Sequence, residues 1–280
     1  MTTAPLRRLT GVLALALSLT LAACGGGGAG AEAETNPYDL QQPGVLRAGT
    51  LTDAPPNVYL KDGEFTGYDN ELLRAVAGKL DLRVEFVGTE FSSLLAQVKT
   101  RKFDIGSSSI SITEARKQTV AFSNKYDFGF LGLNVPSGSA ITTFDQLAGK
   151  RVAVVQGTVQ DDYATRTNLN PVRVPDYNAA LNQLRAGTAD AWITPAEIGE
   201  KTAADSGGKV AAVAKQLDPG GTAYAIAQDN PALLEAVNGA LDEVIEDGTW
   251  ARLQQEFYPS RDIPADFKPG SGSVPVGEAQ

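Results

Sequence analysis

Residues 104–123 read DIGSSSISITEARKQTVAFS. The stretch begins as the end of an apolar strand, passes through Ser107, Ser108, Ser109 and Ser111, and opens a helix that carries Arg116. Small hydroxyl residues leave backbone N–H groups accessible. A helix N-terminus carries partial positive charge. An arginine a few residues on can fork onto a carboxylate with two parallel bonds. Together these features make a carboxylate receiver. The alternative is that the serines only cap a helix whose arginine is solvated. The order of the surrounding elements decides between the two.

Upstream, residues 45–50 read as a strand, and 52–57 (TDAPPN) as a loop, because Pro55-Pro56 blocks helix and ladder alike. A turn at 61–64 precedes a helix that runs to about Leu80, with Leu72, Leu73, Val76 and Leu80 on one face and Asp69 as its cap. A strand at 82–87, a helix at 91–101 and a strand at 103–107 follow. Strand, helix, strand, helix, strand predicts a parallel sheet with right-handed crossovers. Ligands bind such sheets outside the carboxyl ends of the strands. The loops 52–57, 88–91 and 107–113 stand there.

Downstream, an apolar run at 128–136 precedes a second set of the same kind. It comprises strands at 151–155, 171–174 and 189–193, a helix capped by Thr158 with Asp161 three residues on, and a helix capped by Asp176. Thr194-Pro195-Ala196-Glu197 reads as the start of another helix. Two further strands are expected at 210–213 and 222–227, then a long helix from Asn230 and a short one through Trp250, Leu253 and Phe257. The pattern predicts an α/β fold of two lobes, each with a βα sheet, joined by two hinge strands. Lobe 1 takes 44–132 and 226–259, lobe 2 takes 133–225, and 260–280 forms a disordered tail. A cleft between lobes is the natural ligand site, closing by hinge bending.

Composition narrows the chemistry. The chain has 280 residues, net charge −9, one Cys and no His. Lacking His, it has no imidazole acid–base catalyst, no Ser-His-Asp triad and no His-ligated zinc. One Cys allows neither an internal disulfide nor a Cys metal cluster. No Lys/Arg stripe points to nucleic acid. Arg7 and Arg8 precede an apolar run at 9–21 that is too short to span a bilayer, so 1–23 reads as a signal peptide. It ends Leu21-Ala22-Ala23-Cys24, which resembles a bacterial lipobox, so Cys24 is expected to be lipidated and to anchor the protein on the extracytoplasmic face of the membrane. Residues 24–43, rich in Gly and Ala, read as a flexible tether.

From Val45 to Pro259 the chain resembles the bacterial extracellular solute-binding proteins of family 3, the polar amino-acid group of ABC importers, with a type II periplasmic-binding-protein fold. The matching words are LRAGT (46–50), FTGYDNELL (65–73), EFSSLLAQVKTRKFDIG (90–106), SISITEARKQTVAFS (109–123), FDQLAGKRVAVVQGT (144–158) and AGTADAW (186–192). The resemblance implies Phe91 as an aromatic wall. It implies the Ser109 backbone and Ser111 hydroxyl as partners of the ligand's amino or carboxylate group, and Arg116 as the carboxylate clamp. Gly157 and Thr158 would complete the anion site with backbone N–H groups. It also implies a monomer with no cofactor, working with permease and ATPase subunits.

The chain departs from the family where the ligand ammonium is usually bound. Thr194-Pro195 stands in place of the acid after strand 189–193, with Thr194 expected to contact the ligand there, and Leu51 and Ala54 stand where the first loop usually offers an acid and an aromatic. Asp53, Glu197 and Asp161 are the candidate substitutes. Tyr126, Trp192 and Gln156 are candidates for the cleft wall or for packing. An alternative on the same scaffold is a dehydratase acting on a cyclic carboxylic acid, which needs a carboxylate acid–base group beside Arg116.

Overall fold

A computed structural model describes residues 36–270. The signal segment, Cys24, the tether as far as residue 35 and the tail beyond 270 lie outside the described residues.

The elements run β1 (Val45–Thr50), β2 (Asp53–Ala54), β3 (Val58–Lys61), β4 (Glu64–Thr66), α1 (Tyr68–Lys79), β5 (Arg83–Gly88), α2 (Phe91–Lys99), β6 (Ile105–Ser111), α3 (Glu114–Lys117), β7 (Ala121–Phe122) and β8 (Asp127–Pro136). The second half adds β9 (Arg151–Val155), α4 (Val159–Arg166), β10 (Asn170–Val174), α5 (Tyr177–Arg185), β11 (Ala191–Pro195) and α6 (Ala196–Asp205). The chain returns through β12 (Val210–Ile226), α7 (Pro231–Glu246) and α8 (Thr249–Phe257). The main sheet has nine strands, eight of them in the order β10-β9-β11-β8-β12-β6-β1-β5, with β7 paired to β12. β1 is parallel to β5 and β6, and β9 is parallel to β10 and β11. Between these parallel groups lie β8 and β12, antiparallel to each other. The two βα halves are thus joined through the long strands.

Apolar periodicity builds the helices. On α7, Leu233, Val237, Leu241 and Val244 recur every three or four residues and are fully buried. Each such side chain contributes about 1.5–3 kcal/mol relative to an exposed one. They share a core with Leu72, Leu73 and Val76 of α1 and with Trp250 and Leu253 of α8, so the last helices pack on the first half. α1 starts at Gly67, whose φ is 108°. A Cβ there would lie 2.4 Å from the Asn57 carbonyl, so only glycine lets the helix start so close to the 52–57 loop.

Several expectations are corrected. Ser107–Ser111 is strand, not loop, because β6 pairs with β12 as far as Ser111. β12 is one 17-residue strand, where two were expected. Asp69 does not cap α1; its carboxylate is buried and turned inward. Thr194 is strand and Pro195 is the N-cap of α6. The described end of the expected tether is anchored: Leu40 is buried and Gln41 N–H donates to Asp104 Oδ1 at 3.0 Å. The expected tail from 260 also joins the core, because Phe267 is buried with its ring 4.9 Å from that of Phe128.

Candidate ligand-binding site

The 54–58 segment, the carboxyl end of β6, the start of α2, β8, β12 and the first turns of α4 and α6 surround a cavity with about 610 Å3 of empty space, part of it open to solvent. Phe91, Ser109, Ser111, Arg116 and Thr158 line it, together with Asn57, Tyr177, Asp218 and residues at the base described below.

Arg116 comes to this cavity from a single helical turn. Thr113 caps α3 and accepts from the Arg116 N–H. One turn carries no useful macrodipole, so the helix-end part of the expected receiver is corrected: the charge there is the guanidinium itself. Arg116 is only 8% exposed. Its Nη1 donates to the Ser111 carbonyl at 2.7 Å and its Nη2 to the Gly157 carbonyl at 3.1 Å. The guanidinium carbon stands 5.0 Å from the centre of the Phe91 ring. Among the described residues Arg116 has no carboxylate within ion-pair distance. Burial lowers its pKa, while Asp162 and Asp218 oppose that at longer range. The result is a buried cation held by neutral carbonyls and one aromatic face.

The other expected residues divide. Ser111 lines the cavity, but its hydroxyl donates to Asp218 Oδ2 at 2.6 Å. Ser109 has φ 45°, a left-handed conformation rare for serine. Its hydroxyl donates to Asp69 Oδ2 at 2.5 Å and accepts from Asn57 Nδ2 at 2.8 Å. The expected pair of free amides is corrected: Gly157 N–H donates to Asp161 Oδ2 at 3.1 Å, and Thr158 N–H turns back to the Val155 carbonyl at 3.4 Å. Asp161 is a structural acid, paired with Arg173 at 2.8 Å. Asp53 does not line the cavity; its Oδ2 accepts from Asn178 N–H at 2.8 Å, joining the two halves. Thr194 is fully buried behind the wall, and Pro195 lines the cavity in its place.

The cavity base was illegible in the sequence except for Glu197. Asp127, Glu197 and Arg261 meet there. Arg261 Nη2 lies 2.6 Å from Asp127 Oδ1, and Nη1 lies 3.3 Å from Glu197 Oε1. Gln254 Nε2 and the Phe128 N–H also donate to Asp127 Oδ1. The guanidinium stacks 3.9 Å from the Tyr258 ring centre and 4.5 Å from that of Phe128. Burial pushes both carboxyls up, and Arg261 pulls them back. Burial alone would lower the Arg261 pKa, but Asp127, Tyr258 and Glu197 outweigh it and hold the group firmly charged. Behind Ser109, Asp69 is fully buried and pushed up to about 7 by that burial, against bonds from Ser109 and Tyr126.

Two groups of parallel strands in one sheet, joined by long antiparallel strands beside a polar cavity with a buried arginine, define a two-lobed small-molecule receptor of the periplasmic-binding-protein type. The chain belongs to the bacterial extracellular solute-binding proteins, family 3, whose model matches residues 46–260. The lysine/arginine/ornithine-binding periplasmic protein of Escherichia coli (strain K12) is 31% identical over 234 residues, covering 77% of this chain and 88% of that protein. A solved ancestral arginine-binding protein bound to arginine is 27% identical, with a TM-score of 0.73 over 77% of this chain and 98% of the other. An ancestral amino-acid-binding protein, a precursor of cyclohexadienyl dehydratase, is 30% identical with a TM-score of 0.71, covering 77% of this chain and 96% of the other. Among the described residues, no helix is long and apolar enough to cross a membrane.

Proposed function

We propose that this protein is the substrate-binding subunit of an ABC importer, and that it captures an amino acid or a related carboxylate between its two halves and delivers it to a membrane permease. The observation that carries this reading is Arg116: buried on the cavity wall, stacked on Phe91 and held only by carbonyls. A buried guanidinium without an anion is costly. A ligand carboxylate compensates for that cost and draws Arg116 into a charge-assisted pair worth about 1.5–3 kcal/mol per bond. Two such bonds supply about 3–6 kcal/mol of the roughly 8 kcal/mol that micromolar binding needs, and the rest of the ligand must supply the remainder. Because Gly157 belongs to the second half, Arg116 couples ligand capture to closure. Lipidation at Cys24 would keep this receptor beside its permease. Calorimetric titration with the twenty L-amino acids tests the reading. Binding of at least one at micromolar concentration is expected; failure of all twenty and of the amine-free acid succinate overturns it.

A second reading, a dehydratase on the same scaffold, draws on Glu197. Its carboxyl lines the cavity with its pKa raised by burial, as a general acid requires. The dehydratase precursor among the structural relatives is itself an amino-acid-binding protein, which favours the receptor. Turnover of a prephenate-like acid by the purified protein would reverse that preference.

A further inference from the structure

We infer that Asp127 and Glu197, clamped by Arg261, form a receiver for an ammonium or guanidinium group of the ligand, in place of the acid that Pro195 has displaced. This deepens the receptor reading and rests on it. Arg261 joins one oxygen of each carboxylate. Among the described residues, neither Asp127 Oδ2 nor Glu197 Oε2 accepts a side-chain hydrogen bond from the protein. Two carboxylates against one guanidinium leave this end of the cavity with an excess negative charge. Arg261 Nη2 also donates to Gln254 Oε1, so both protons of that nitrogen are used, and none of the Arg261 nitrogens bonds Asp127 Oδ2 or Glu197 Oε2.

Asn57 gives an independent sign of a missing donor. It is 5% exposed and lines the same cavity, and its Oδ1 is buried without a partner. The bond network fixes its orientation. Ser109 commits its one hydroxyl proton to Asp69, so its oxygen must accept from Asn57 Nδ2. That leaves the Asn57 carbonyl as an acceptor with nothing to accept. An unmade bond at a buried acceptor costs roughly 1–3 kcal/mol, so a donor-rich ligand group gains by meeting it. Three acceptors thus line the same cavity as the Arg116 guanidinium.

The pole also depends on residues on both sides of the cleft. Asp127 opens β8, Glu197 lies in the first turn of α6, and Arg261 follows α8. A cation bound between the two acids therefore adds to the closure that Arg116 promotes from the carboxylate end.

The test is titration of the full protein, wild type, Glu197→Gln and Asp127→Asn, with L-arginine, L-lysine, L-glutamine, the carboxylate-free amine agmatine and the amine-free acid succinate. Thermal unfolding of each variant without ligand checks that the fold is kept, and having two variants covers the loss of either one. The inference expects each substitution to weaken the tightest amino acid by roughly tenfold or more, and to leave any succinate binding within about twofold. Amino-acid binding unchanged in both folded variants overturns the pole and leaves the receptor reading standing. Binding of agmatine but of no amino acid, weakened by Glu197→Gln, supports the pole and overturns the amino-acid reading. Failure of the wild type to bind any amine-bearing compound overturns the pole, and failure to bind succinate as well overturns the receptor reading.

Discussion

Arg116 Nη2 donates to the Gly157 carbonyl at 3.1 Å, while Nη1 of the same group donates to the Ser111 carbonyl at 2.7 Å. One planar fork therefore spans the two βα halves at the cavity wall. Lysine has a single ammonium on a flexible stem and cannot reproduce that fork. Arg116→Lys should weaken amino-acid binding roughly tenfold to hundredfold and leave the unfolding midpoint almost unchanged. Calorimetry beside thermal unfolding checks this; affinity equal to wild type would remove Arg116 from the site.

Asp53 makes a further link between the halves, accepting from Asn178 N–H at 2.8 Å outside the main cavity. Removing it favours separation of the halves without touching ligand. Asp53→Ala should weaken binding by roughly threefold to tenfold and enlarge the radius of gyration of the ligand-free protein in small-angle scattering. Unchanged affinity and radius would show that the bond does not contribute to closure.

Asp69 predicts a pH dependence of stability. Its folded-state pKa is raised from 3.8 to about 7. The folded state therefore binds the proton more tightly than the unfolded one. The contribution of this group is complete below the unfolded pKa and is lost as pH rises through about 7. Asp127 and Glu197, also raised by burial, act in the same direction. Between about pH 4 and 7 the unfolding free energy should fall with rising pH, by on the order of 1 kcal/mol per pH unit for one group. Asp69→Asn should flatten the slope. Urea unfolding of both proteins across that range checks the sign; parallel slopes would exclude Asp69 as its source.

Phe267 packs between Phe128, 4.9 Å away, and Trp250, 6.4 Å away, and is 6% exposed. Phe267→Ala should cost about 3–5 kcal/mol, measured by chemical denaturation. A loss under about 1 kcal/mol would show that the segment after α8 is not part of the core.

The parallel βα units were legible because buried residues on α1 and α7 recur at helical spacing and the strands between them are short and apolar. Arg116 was legible because its neighbours place it just past a strand end. β12 was not. Its Asp218–Thr222 stretch contains Pro219, Gly220 and Gly221 and reads as a turn. In the fold it is a register shift against β8, where Gly221 takes φ 68° and a Cβ on Gly220 would lie 2.3 Å from the Ile112 carbonyl. Asp69 stands where a helix cap would stand, but hydroxyls distant in sequence, Ser109 and Tyr126, claim its carboxylate. Arg261 was hidden in a segment rich in proline and charge, and only the chain's return over the first half brings it to Asp127 and Glu197. Local patterns carry the elements; contacts from across the chain complete the site.

Capture rests above all on a ligand carboxylate meeting Arg116. The direct measurement is calorimetric titration of the wild type with its tightest-binding L-amino acid and with the carboxamide of that amino acid, which keeps the ammonium and side chain but removes the anion. The amide should bind roughly a hundredfold more weakly or not at all. Equal affinities for the two would contradict it.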